Sequence, residues 1–268
     1  MKARLESLYH TYNKPSYIHP DPLEYVRYYT SVDDREIAGV IASCLSFGRV
    51  SQILLTLSRV FAVMGPSPRE YVEQGSQRTF SKDYKGFVYR FVREEHLVSL
   101  LTGLGQMIDD HGTLENCFVS GLSQDDETIV PAMGQFVNHI VQNHDPGYLV
   151  ARPDKGSAMK RMNLFLRWMV RQDAVDPGGW NRVDHSRLII PLDTHMHRIS
   201  KKLGLTERNQ ADMRTAMEIT ESFRRFSPDD PVKYDFALTR FGIRSELDMD
   251  QCCSFLNTQS VEAGSKPA

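Results

Sequence analysis

Apolar positions recur every three to four residues along most of this chain, and turn residues cut the pattern into pieces of helix length. In "DDREIAGVIASCLSFGRV" the residues Ile37, Val40, Ile41 and Cys44 share one face, and Asp33 with Glu36 three residues later predicts a capping-box start. "SQILLTLSRVFAVMGP" stops at Gly65 and Pro66, and "SPREYVEQG" opens on Ser67 as a cap with Pro68 at the first helical position. "REEHLVSLLTGLGQMIDDHG" reads as an amphipathic helix closed by Gly112, and "TLENCFVSGL" as a short one capped by Thr113. Pro131 marks the start of the helix in "DETIVPAMGQFVNHIVQNH". "GSAMKRMNLFLRWMVRQD" places Met159, Met162, Leu166, Met169 and Val170 on one side. "NQADMRTAMEITESFRRF" repeats the pattern through Met213, Met217, Thr220 and Phe223, and "DPVKYDFALTRFGI" reads as the last helix. No β alternation of useful length occurs; "LIIPL" is at most an isolated strand. The expectation is an all-α fold of about ten helices, with no linker that divides residues 1–268 into separate domains.

Composition narrows this picture little. Hydrophobic residues make up 41% of the 268 positions and charged residues 25%, the balance of a globular protein with a sizeable core. No apolar run approaches a membrane span, and "MKARLESLYHTYNKP" lacks the apolar centre of a signal peptide, so a cytoplasmic location with no membrane partner is expected. The cysteines are Cys44, Cys117, Cys252 and Cys253, and no spacing matches a zinc or iron–sulfur pattern, so no cofactor is expected. The net charge of −2 does not suggest a nucleic-acid partner, but its distribution does: residues 152–208 hold twelve Lys and Arg against six Asp and Glu. A basic region of this kind binds phosphates or is simply a solvated helical surface.

The segment 189–205, "IIPLDTHMHRISKKLGL", carries the candidate chemistry. Asp193 directly precedes a helix-like run, as an N-cap does. It also stands beside His195 and His197, a His-x-His pair of the kind that metal hydrolases use. Residues two apart on a helix diverge by about 200°, which serves one ion poorly. The third reading is a catalytic carboxylate. Upstream, helices at about 131–144 and 157–172 flank "DPGYLVARPDKG", and a Gly/Pro-rich loop leads from the second of them to Asp193.

The order helix, hairpin, helix, loop, Asp resembles the helix-hairpin-helix DNA glycosylase superfamily, which includes endonuclease III and the archaeal 8-oxoguanine glycosylase. "PLDTHMHRISKKLGL" is similar to that superfamily's Val-Asp-Thr-His-containing segment. The resemblance is closest to a bacterial family defined only as a domain of unknown function, and it covers the chain from about Tyr12 to Arg244. The Leu-Pro-Gly-Val-Gly hairpin and the four-cysteine loop of endonuclease III are missing, and the Lys-to-Asp gap is longer. In these respects the chain is more similar to the archaeal branch. The resemblance implies a single two-lobed helical domain with an atypical helix-hairpin-helix at about 131–172. It implies a monomer without an iron–sulfur cluster that acts on damaged duplex DNA. The activity implied is base-excision glycosylase with Lys-dependent AP-lyase activity, on an oxidised purine such as 8-oxoguanine or 8-oxoadenine.

Residue by residue, Lys160 takes the nucleophile's role and Asp193 that of the carboxylate. The chemistry fits. Breaking a C1′–N bond generates a cationic sugar that a carboxylate stabilises. An amine attacks C1′ only when neutral, a state that the apolar neighbours Met159, Met162 and Leu164 and the adjacent Arg161 favour. A surface lysine and a simple helix cap remain the plain alternatives for the two residues. Ser46 and Phe47 lie at the corner that, in the superfamily, enters the gap left by a flipped base; the plain alternative for Phe47 is a core residue beside a helix-ending glycine. Asp235, with Tyr234 beside it, matches an acid that reads the base edge in the archaeal branch. Trp168 and Trp180 are candidates to stack on the flipped base, with Trp168 the better core residue and Trp180 on the more exposed loop. Arg49, Lys155, Arg161, His195, His197 and Arg198 are the candidates for phosphate contact. Two further functions stay open: a non-catalytic nucleic-acid-binding module, and a metal-dependent hydrolase using His195 and His197.

Overall fold

The computed structural model describes residues 1–152 and 156–258. Lys155 and the C-terminal "EAGSKPA" lie outside them. The described residues form fourteen α-helices: α1 (Lys2–Tyr12), α2 (Leu23–Arg27), α3 (Val32–Cys44), α4 (Val50–Met64), α5 (Pro68–Gln74), α6 (Gln77–Asp83), α7 (Glu94–His111), α8 (Leu114–Ser120), α9 (Val130–Val141), α10 (Lys160–Val170), α11 (Thr194–Lys202), α12 (Met213–Arg224), α13 (Asp235–Ile243) and α14 (Met249–Asn257). The fold is all-α apart from one two-stranded antiparallel hairpin, β1 (Val88–Tyr89) with β2 (Val92–Arg93).

The caps explain many of the boundaries. Ser67, Thr113, Asp193, Asp212 and Asp248 each accept a hydrogen bond from the backbone N–H three residues on. The expected capping box at Asp33 and Glu36 does not form. Helix α3 starts earlier, after Ser31, and Glu36 turns inward. There its carboxylate accepts from the N–H groups of Leu114 and Glu115, both at 3.0 Å, and from Trp180 Nε1 at 2.9 Å.

Helix α7 packs against α5, α6, α8 and α9, while α1, α11, α13 and α14 pack on one another. Helices α3 and α10 join these groups through an extensive mutual contact. Their approach needs Gly39, where a Cβ would stand 3.0 Å from the Phe165 ring. Trp180 fills the space beside them, ringed by Phe118, Phe136 and Phe165.

Further sequence expectations are corrected, beginning with the number of helices, fourteen among the described residues rather than about ten. Helix α12 buries Ala216, Ile219, Thr220 and Phe223, whereas Met217 is 43% exposed. Both stripes have helical spacing, so periodicity left the choice to packing. "LIIPL" is buried without being a strand; Ile190 N donates to Thr220 Oγ1 at 3.0 Å. Helix α13 is followed by α14, and the β1–β2 hairpin is too short to alternate visibly. All four cysteines are free and buried. Among the described residues no single helix is long and apolar enough to cross a membrane.

Candidate active site

A cleft of about 620 Å³ opens where α3, α10, α11 and α13 converge. Lys160, Arg161, Asp193, His195 and Asp235 line it, with Ser46 and Phe47 at the corner after α3. Residues spread over most of the chain therefore share one wall.

Lys160 is the first residue of α10. Met159 before it is fully buried and adopts a left-handed backbone (φ 50°), rare for a non-glycine side chain. Burial of the Met159 side chain holds this conformation and so sets where Lys160 leaves the chain. Lys160 is half-buried, and its Nζ donates to the Ser46 carbonyl at 3.3 Å.

Asp193 is the N-cap of α11. Its Oδ1 accepts from Met196 N at 2.8 Å. No described residue bonds its second oxygen, which leaves one acceptor for the cleft. The cap and the cleft carboxylate are thus compatible roles for one side chain.

Asp235 begins α13 and is buried. One oxygen pairs with Arg167, and the other, Oδ1, is buried without a partner. Burial pushes its carboxyl up to about 6, with Arg167 opposing the rise and Asp193 adding to it. Arg167 also pairs with Asp176 at 3.2 Å, and Arg171 joins Asp176, Asp173 and Asp230. This buried network ties the Gly/Pro-rich loop to α10 and α13. Breaking such a network by removing one partner costs about 3–5 kcal/mol, so it holds Asp235 rigidly.

The histidines take different surroundings. The His195 ring lies at the cleft against α13, where Gly242 leaves room; a Cβ there would come within 2.3 Å of the ring. His197 Nε2 meets the Arg208 carbonyl at 2.9 Å. The two rings thus have different partners, His195 at α13 and His197 at the Arg208 carbonyl.

Several candidates are not where the sequence placed them. Trp180 is 1% exposed and Trp168 fully buried, so neither ring is available to stack on a base. The loop carrying Trp180 is polar at its glycines, but Glu36 gives the indole N–H an internal partner and draws the ring inward. Tyr234 is buried on the α1 side, where its hydroxyl donates to Glu6 Oε1 at 2.6 Å. Arg198 is exposed beside Asp250 rather than in the cleft. Arg49 is exposed at the start of α4. Arg161 donates to the Cys44 carbonyl at 3.2 Å and lies over the rings of Phe47 and Tyr148. The basic excess is partly spent internally. Arg167 and Arg171 are buried in ion pairs, Arg208 pairs with Asp212, and Arg187 donates to the carbonyls of Ser123 and Gln124.

An aromatic rim borders the cleft. Phe47 is half-buried, its ring 5.0 Å from both Tyr89 and Tyr148. At the hairpin tip Phe91 is 64% exposed, 5.7 Å from the Tyr148 ring and beneath the Arg90 guanidinium. Tyr148, Arg90 and Phe91 were not anticipated. "VYRFV" does show two outward aromatic and basic positions at a tight turn, but nothing in the local pattern points it towards Asp193.

No curated protein and no solved structure matches this chain. One family model does, over residues 21–244, a span that contains every described residue of the cleft except Pro20. The chain accordingly belongs to the family described as "Protein of unknown function (DUF2400)".

Proposed function

We propose that this protein is a DNA base-excision glycosylase of the helix-hairpin-helix superfamily, acting on an oxidised purine with Lys160 as nucleophile. The observation that carries this reading is the meeting of Lys160, Asp193 and Asp235 in one cleft with room for an extruded base. Neutral Lys160 Nζ attacks C1′ as the C1′–N bond breaks, and the bonding pair leaves with the base. The free oxygen of Asp193 faces the positive charge that develops on the sugar. Asp235, whose Oδ1 is buried without a partner, accepts a hydrogen bond from the base edge. Arg49, Arg90 and the exposed Phe91 suit the flanking phosphates and the opening in the stack. Loss of the base leaves an aminal at C1′; Nζ gives up a proton, the C1′–O4′ bond opens with its pair and a proton going to O4′, and the resulting imine is reduced by borohydride to a stable amine.

A second reading, a non-catalytic DNA-binding module, is favoured by one contact. Lys160 Nζ donates to the Ser46 carbonyl at 3.3 Å, so the amine already has a structural partner at the corner after α3. Borohydride trapping on duplexes carrying 8-oxoguanine or 8-oxoadenine separates the two. The glycosylase gives a covalent adduct that Lys160→Gln abolishes. A protein that binds the duplex but never traps is the binding module, and trapping that survives Lys160→Gln refutes the nucleophile assignment.

A further inference from the structure

Away from the cleft, α7, α8 and α9 pack on one another and bring together His111, Cys117 and His139. Their potential donor atoms all lie within 4.8 Å of each other. The corner is well built. Gly112 ends α7, Thr113 caps α8, and Asn116 Nδ2 donates to the His111 carbonyl at 2.9 Å. His139 arrives from the last turn of α9, its ring edge-on to His111 with centroids 4.9 Å apart. The thiol of Cys117 is buried, while both histidines are half-buried. Among the described residues no hydrogen bond or ion pair engages either imidazole or the thiol. Three convergent donors on three packed helices thus have no structural employment of their own.

We propose that His111, Cys117 and His139 bind a zinc ion, with the fourth position open to water. Two imidazoles and one thiolate are a donor set suited to this borderline-soft cation, and hard cations prefer oxygen. Zinc bonds of about 2.0–2.1 Å to nitrogen and about 2.3 Å to sulfur place tetrahedral donors roughly 3.4–3.6 Å apart. The three donors reach that spacing by closing about 1 Å, a movement that side-chain rotation supplies. On binding, the ion exchanges coordinated waters for the two neutral imidazoles and the thiolate, and the thiol proton passes to solvent. The spacing from Cys117 to His139 is too long for any short metal motif, which is why the cysteine pattern does not reveal the site. The proposal is independent of the glycosylase reading.

Cobalt(II) is the probe, titrated into the full-length, chelator-treated protein. One equivalent produces intense visible bands of tetrahedral cobalt and a near-ultraviolet thiolate charge-transfer band, and zinc displaces both. Cys117→Ser loses the charge-transfer band, whereas Cys252→Ser keeps it. His111→Gln and His139→Gln, at half-exposed positions that tolerate a polar side chain, each weaken cobalt binding at least tenfold. The absence of a one-to-one complex overturns the proposal, as does a band that survives Cys117→Ser. Should Cys117→Ser not fold, unchanged affinity in the two histidine variants overturns it instead.

Discussion

Replacing Asp193 by Asn separates the two roles of this residue, because it removes the charge and keeps the shape. The cap hydrogen bond from Met196 N at 2.8 Å survives, since the Asn side-chain oxygen accepts it equally well. What is lost is a negative charge at the N-terminus of α11, worth about 0.3–1 kcal/mol against the helix dipole. Removing Asp193 also relieves its repulsion of buried Asp235, which works in the opposite direction. The net stability change is therefore below about 1 kcal/mol, a shift of roughly 2–4 °C or less in Tm. The rate is another matter. A preorganised group aimed at charge that develops in the transition state contributes about 2.7–4 kcal/mol, or about 10²–10³ in kcat. The assay is single-turnover excision of 8-oxoguanine from duplex DNA, with denaturant unfolding on the same preparations. Asp193→Ala serves as the control, losing the cap as well and costing about 1 kcal/mol. Near-wild-type excision by Asp193→Asn would refute the electrostatic role and leave Asp193 a cap alone. A loss of several kcal/mol in stability would refute the claim that the cap bond is retained.

Three other outcomes are expected. Trp180→Phe keeps most of the ring packing but removes the N–H that Glu36 accepts, so unfolding free energy should fall by about 1–3 kcal/mol; an unchanged value would mean that this bond does not matter. Burial pushes Glu36 up to about 7 from its usual 4.5, so the folded state holds its proton more tightly than the unfolded chain and stability is lost as pH rises from about 4.5 through 7. The loss approaches about 3 kcal/mol, and the difference between wild type and Glu36→Gln in unfolding free energy should change by that order across the window; a difference independent of pH would exclude the shift. Binding to lesion duplex should weaken with salt through a few contacts only, each adding about −0.9 to the log–log slope, and Arg49→Ala should reduce the slope by about one; an unaltered slope would remove Arg49 from the interface.

Much of the architecture is legible in local sequence because its causes are local. Ser67 before Pro68, Thr113 after Gly112, and Asp193 before "THMHR" each satisfy an N–H three residues away, and no distant residue is needed to recognise them. The all-α class follows from period and punctuation in the same way. Orientation does not. Glu36 looked like a capping residue until α8 and Trp180 supplied three donors to draw it inward. Trp180 looked loop-exposed until that same carboxylate satisfied its indole. In α12 two stripes of equal spacing compete, and only contact with neighbouring elements decides that Phe223 and Ile219 are buried while Met217 faces out. The cleft shows both sides of this division. The resemblance singles out Lys160 and Asp193, but their sharing of a wall depends on how α10 and α11 pack. The Phe91 rim and the His111–Cys117–His139 cluster join elements that are distant or unremarkable in sequence, because side chains meet through helix packing, which no local pattern encodes.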